Sequence, residues 1–365
     1  MMLRRYLLLR LALPLLVASP AHAVTYCVED ATELQLVLDA VMSNGTDDVI
    51  RLEAGVYRST SPDGFIAYDF NADSTELEIS GGWTSGCSLR LPNARSTIDG
   101  EFERPGLAIG GTSDVGGRVF VRNLQFIRGL STNGNRAGGL TINRGYDIVV
   151  ESNVFSENTV RNESGAASGG LYALSEGSLA VRNNLFVRND ADQPSTAAAG
   201  AASLHCYGTG GASASFINNT VVDNTADLGA ASDTGGVRAY GLVNCPWSVA
   251  NNHLRGNAGI DFNLAIAGIT LRNNNLGVTG GSEIPASSSG NIDLDPQFVS
   301  ATNLRPKRSS PLVDAGLNTP TGGLPSASFD GGPRLVGGQV DIGAYELDVL
   351  FASGFDPSGF TDDAP

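Results

Sequence analysis

Three arginines, Arg122, Arg182 and Arg272, each stand just ahead of an asparagine bend, so a regularly coiled chain would set them in one outward stripe. Proton abstraction beside a uronate needs a strong base and neutralisation of the sugar carboxylate. Glycoside hydrolysis needs two carboxyl groups roughly 5 to 9.5 Å apart. Either set would have to come from outward residues of adjacent coils. A solvated arginine with weak ion pairs is the simpler reading of each position, because the chain has 38 acidic against 23 basic side chains. The sole lysine, Lys307, lies near the C-terminal end and is badly placed to serve as a base.

Other reactive residue types lack partners in the sequence. His205 sits beside Cys206 and His253 inside an asparagine motif, and both read as packed or capping imidazoles. Asp47-Asp48 and Asp293-Leu-Asp295 are acid pairs without the ligand-rich spacing of a calcium loop. Gly208-Thr-Gly-Gly211 opens no helix and cradles no phosphate, and no Gly-x-Ser-x-Gly elbow is present. No residue is therefore assigned a catalytic, cofactor or metal role.

The elements that would position such residues repeat. Asn153-Val-Phe155-Ser-Glu-Asn158, Asn184-Leu-Phe186-Val-Arg-Asn189, Asn219-Thr-Val221-Val-Asp-Asn224 and Asn252-His-Leu254-Arg-Gly-Asn257 begin 31, 35 and 33 residues apart (184−153, 219−184, 252−219). Units this short cannot bury their own apolar faces and must stack as a solenoid. Alternation turns Leu179 and Val181 inward and Arg182 outward, and the chain bends at Asn183-Asn184. Asn153, Asn184, Asn219 and Asn252 are expected to form a structural ladder of side-chain amides, each satisfying its neighbour at about 4.8 Å per coil. Gly-Gly-apolar steps (Gly138-Gly139-Leu140, Gly169-Gly170-Leu171, Gly235-Gly236-Val237) open the coils, where positive φ or a missing Cβ is needed.

Coils of this length with Gly-Gly openings and Asn corners resemble the right-handed parallel β-helix of the pectin-lyase type. The resemblance implies an all-β fold, a right-handed parallel β-helix solenoid. Enzymes of that type that cleave polysaccharides use Asp-held calcium with an Arg or Lys base, or two or three carboxylates, on an exposed face. A short capping α-helix is expected at its N-terminal end, with Asp30 as cap, Glu33 reaching back, and Leu34, Leu38 and Val41 on one face. Such a lid covers a coil end that would otherwise expose core and strand edge.

The first residues address the chain. Arg4, Arg5 and Arg10 interleave with a leucine-rich stretch, and Ala21-His22-Ala23 follows, as in a secretory signal peptide cleaved after Ala23. Cleavage removes three arginines and no acids, which changes the formal charge from −15 to −18. Nucleic acid is an unsuitable partner for such a chain, and strongly anionic polymers are disfavoured unless metal ions intervene. Four cysteines in an exported chain favour two disulfides. Stacking of near neighbours suggests Cys27 with Cys87 and Cys206 with Cys245.

The C-terminal part carries Asn291-Ile-Asp-Leu-Asp295-Pro-Gln-Phe298, Ser310-Pro-Leu-Val-Asp314-Ala-Gly316, Asp330-Gly-Gly-Pro-Arg334 and Val340-Asp341-Ile-Gly343-Ala-Tyr345-Glu346. These four ordered motifs resemble the closing segment of choice-of-anchor Q domain proteins, exported bacterial β-helix proteins whose biochemical role is mostly undefined. Leu350-Phe-Ala-Ser-Gly-Phe355 is similar to a short Phe-Gly-Phe tail on exported proteins of Gram-negative bacteria.

The expected organisation is 1–23 signal peptide, 24–48 capping segment, 49–300 coils, 301–347 closing segment and 348–365 acidic tail. The expected function is that of a monomeric, non-catalytic protein at the bacterial surface or exterior, without a membrane span in the mature chain, that binds polysaccharide or envelope glycan. A polysaccharide lyase or glycoside hydrolase is the rival expectation, and a structural or adhesive envelope protein the third.

Overall fold

The computed structural model describes residues 23–42, 44–68, 76–110, 117–132, 136–161, 166–192, 197–226 and 233–347. The signal sequence and the Phe-Gly-Phe tail lie outside the described residues, apart from Ala23. The chain is an all-β parallel solenoid, a β-helix of stacked coils with, among the described residues, one α-helix, α1 (Ala31–Val41), at the N-terminal end of the coils.

Three long sheets run along the solenoid. Among the described residues sheet 1 has ten strands, from Val24–Val28 to Ser287–Ser289; sheet 2 has eight, from Val56–Tyr57 to Asn275–Leu276, and sheet 3 eight, from Phe65–Tyr68 to Thr279–Gly280. Every strand ladder among the described residues is parallel, with Ile148 paired to Val119 on one side and Leu179 on the other. Alternation sends Leu179 and Val181 into the core and leaves Ala180 and Arg182 on the outer face. Inside, Phe126, Phe155 and Phe186 stack with centroids 5.2 and 4.7 Å apart and rings within 8° of parallel. An aromatic at one register position in three successive coils thus builds a short stack between Ile98 and Val221, worth about 0.5–1.5 kcal/mol per pair beyond its burial.

The corners explain the asparagines. Asn123, Ser152, Asn183, Asn218, Asn251 and Asn273 adopt φ between 49° and 60°, a left-handed turn between sheets 1 and 2. In the later coils the residue after each is a buried asparagine. Asn153 Nδ2 donates to Asn184 Oδ1 (3.2 Å), Asn184 to Asn219 (3.0 Å), Asn219 to Asn252 (3.0 Å), and the row continues through Asn274 to Asn291. A second row joins Asn158, Asn189, Asn224 and Asn257 and ends on Asp261. The left-handed angle belongs to the residue before the ladder asparagine, so the two tasks fall on neighbouring positions. At the Gly-Gly openings the need is for space: a Cβ on Gly139 would stand 2.5 Å from the Gly170 carbonyl oxygen.

At the N-terminal end Asp30 Oδ1 accepts from Thr32 N and Glu33 N, and Glu33 returns a carboxylate to Glu29 N. This sets α1 so that Leu34, Leu38 and Val41 cover the first coils. Disulfides join Cys27 to Cys87 and Cys206 to Cys245, with Cα separations of 5.6 and 6.1 Å.

After Asn291 the chain turns back along the outside of sheet 2. Leu304, Phe329 and Ala344 pack on Leu185, Val187 and Val222. Corner asparagines hold this closing segment by its backbone: Asn183 donates to Ala327 O, Asn218 to Asp341 O and Gly343 O, Asn251 to Leu317 O, and Asn273 to Ala315 O. Within the segment, buried Arg334 donates to the carbonyls of Gly343, Ala344 and Tyr345 and pairs with Glu346 at 2.8 Å. The Asp330-to-Arg334 and Val340-to-Glu346 motifs are thereby one knot.

Candidate functional site

Beside the part of sheet 2 that the closing segment covers, a groove of about 280 Å³ lies on the outer face of sheet 1. Its floor is Glu78, Ser80, Arg122 and Glu151 from three adjacent coils. One wall is the excursion that leaves sheet 1 at Trp83 and enters sheet 2 at Ser96, bringing Arg90, Asn93 and Arg95; the other is 326–331 of the closing segment. Arg90, Asn93 and Gly331 are exposed at the rim.

Register creates the floor. Ser80, Arg122, Glu151, Arg182, Ile217, Ala250, Arg272 and Ser289 occupy one row across sheet 1. Arg122 Nη1 lies 3.9 Å from Glu78, and its Nε lies 3.9 Å from Glu151, which also meets Arg182 at 3.3 Å. The structure thus brings Arg122 and Arg182 together through Glu151. Arg272 lies two intervening strands beyond Arg182 and donates to Ser287 and Ser289 instead, so the outward stripe of three arginines is broken by Ile217 and Ala250.

Arg95 joins the walls. Its Nε donates to Ser152 O (2.9 Å) and its Nη2 to Phe329 O (2.8 Å), with the guanidinium 3.6 Å from the Phe329 ring centroid. Burial lowers its pKa to about 10. Trp83 is fixed by a hydrogen bond from Nε1 to Ser80 Oγ and by Arg51, whose guanidinium lies 4.3 Å from its ring.

The other residues singled out in the sequence lie elsewhere. His205 is buried on the outer face of sheet 3, 2.9 Å from Ser203 Oγ and among Tyr172, Tyr207 and Tyr240; burial lowers its pKa to about 3. His253 is buried under the closing segment, hydrogen-bonded to Asn275 and edge-on to Phe298, also with its pKa lowered to about 3 by burial. Asp48 accepts from Asn44 and Asp47 from Glu76 N; Asp293 pairs with Arg255, and Asp295 accepts from Gln297 N. Lys307 sits in the closing segment, away from the groove. Glu53 lies near both sulfurs of the Cys27–Cys87 disulfide, which are spent on each other.

Sequence reasoning missed both groove carboxylates. Glu151 had a signal: Glu151-Ser152-Asn153 fills the same place as Arg182-Asn183-Asn184. Glu78 had none. No protein-family model matches this sequence, and no curated protein is similar to it.

Proposed function

We propose that this protein is exported and that it binds a polysaccharide, without cleaving it, in the groove between sheet 1 and the closing segment. The observation that carries the reading is the groove floor, where the Arg122 guanidinium and the Glu78 and Glu151 carboxylates meet beside the ring of Trp83. Sugars are held by hydrogen bonds from such polar groups and by packing on an aromatic ring. The parallel coils support a relation to the pectin-lyase type, and the Asp330-to-Glu346 knot supports a closing segment of the choice-of-anchor Q type. Export is supported by the signal-like N-terminal residues and by the two disulfides.

Binding is favoured over cleavage because Arg122 lies within 3.9 Å of both carboxylates, in the space that a scissile bond would need. The test is affinity electrophoresis against a panel of plant and bacterial polysaccharides. Retardation of the wild type and its loss in Trp83→Ala supports the reading; a wild type that migrates like a denatured control on every polymer overturns it.

Two carboxylates in one groove also support a second reading, glycoside hydrolysis by Glu78 and Glu151. A screen for reducing-end and unsaturated products, with and without calcium, decides between them. Product formation lost in both Glu78→Gln and Glu151→Gln establishes hydrolysis.

A further inference from the structure

The charged groups of the groove floor are close to one another yet not hydrogen-bonded to each other, although Ser80 accepts from Trp83 Nε1 and Glu151 is ion-paired with Arg182 at 3.3 Å. At 3.9 Å, the contacts of Arg122 with Glu78 and Glu151 are too long to be hydrogen bonds. Among the described residues Arg122 donates no hydrogen bond, and its Nε is buried without a partner, as is the Nε of Arg182. Glu78 accepts none, and exposed Arg90 at the rim has no ionic partner among the described residues. A floor with unspent donors beside unspent acceptors matches a group that both donates and accepts.

A hydroxyl is such a group. Its O–H donates to a carboxylate while its oxygen accepts from a guanidinium, so a pair of vicinal hydroxyls bridges an Arg–Glu gap and satisfies both sides. A carboxylate or sulfate ester accepts only. It would gain from Arg122 and Arg90 but face Glu78 and Glu151, in a protein of formal charge −15.

We infer that the groove selects a neutral glycan, recognised through vicinal hydroxyls that bridge Arg122 to Glu78 and Glu151, and excludes polyuronates. The inference rests on the glycan-binding reading above and names its substrate class. Contacts of this kind involve a neutral ligand, so affinity is insensitive to ionic strength, whereas a polyanion held by arginines dissociates as salt rises.

The experiment titrates the full mature chain with a galactomannan, a linear β-glucan and polygalacturonate at low salt and at about 0.5 M NaCl. The expected result is binding to a neutral polymer that persists in salt and weakens about tenfold or more in Glu78→Gln and in Arg122→Gln, both with unchanged thermal melts. Glu78→Gln keeps an acceptor but loses the charge-assisted bond, so its loss of affinity is specific to the bridge. Binding confined to polygalacturonate and abolished by salt overturns the neutral-glycan inference while leaving glycan binding intact. Absence of binding to all three, and to the wider panel, removes both. Neutral binding unaffected by either substitution also overturns the inference, because the bridge would then carry no affinity.

Discussion

Arg95 and Phe329, 234 residues apart in the chain, are joined twice: Nη2 donates to the Phe329 carbonyl at 2.8 Å, and the guanidinium lies 3.6 Å from the Phe329 ring centroid. The same side chain donates to Ser152 O, so one arginine links two coils to the closing segment.

Arg95→Ala leaves two carbonyls without donors and should lower stability by about 2–4 kcal/mol in a denaturant melt. Because 326–331 loses one of its two side-chain ties to the coils and keeps only that from Asn183 to Ala327 O, glycan affinity should fall together with stability. A variant of wild-type stability would show that the corner asparagines and the apolar contacts of Phe329 hold the segment without Arg95.

Asn184→Ala removes donors to Val150 O, Arg182 O and Asn219, and an acceptor for Asn153 N. Val150, Asn153 and Asn219 are buried, while the Arg182 carbonyl keeps the Ser152 N–H, so the expected cost is about 3–5 kcal/mol, near the upper range for single substitutions. Exchange of Asn184 with aspartate should cost no less, since it adds a buried charge and deletes two donor hydrogens. Guanidinium melts of both variants check the prediction.

Acid should destabilise the protein through its histidines. Unfolded histidine titrates near 6.5, whereas burial lowers His205 and His253 to about 3, so the unfolded chain binds more protons between those values and stability falls as pH drops through that window. Asp341 has the opposite sign: burial raises it from 3.8 to about 7, so the fold holds its proton more tightly and acidification favours folding. Burial raises Asp48 and Glu346 as well, so these carboxylates offset part of the loss that the two histidines cause. His253→Asn should flatten the fall in melting temperature between pH 7 and 5; an unchanged slope would exclude His253 as a source.

Replacing Cys206 and Cys245 together by alanine opens a link between residues 39 apart. Loop-closure entropy sets the expected loss at about 4 kcal/mol. Thermal melts of the oxidised variant against the oxidised wild type check the magnitude; reduction of the wild type opens Cys27–Cys87 as well and should cost more.

The solenoid could be read from the sequence because one signal recurs along the regular coils: inward apolar residues such as Leu179 and Val181, a bend, then a further inward apolar residue such as Phe186, Val221 or Leu254. The α1 cap was legible for the same local reason, since Asp30 and Glu33 act within one turn. The groove was not. It depends on Phe329 reaching Arg95 and on an excursion from Trp83 to Arg95 that departs from the repeat, and no periodic signal reports either. Arg122 and Arg182 were found by their place before the bends, but that rule could not count the strands that separate Arg182 from Arg272.

The attachment of the closing segment to Asn183, Asn218, Asn251 and Asn273 fixes the number of coils. Repeat proteins lengthen by duplicating a unit, and each added unit here would move the anchoring carbonyls apart by about 4.8 Å. A duplicated coil between Asn183 and Asn273 would leave one corner amide facing solvent or stretch the strap past its reach. The strap acts as a ruler: this β-helix cannot grow within that span unless its C-terminal residues grow in step.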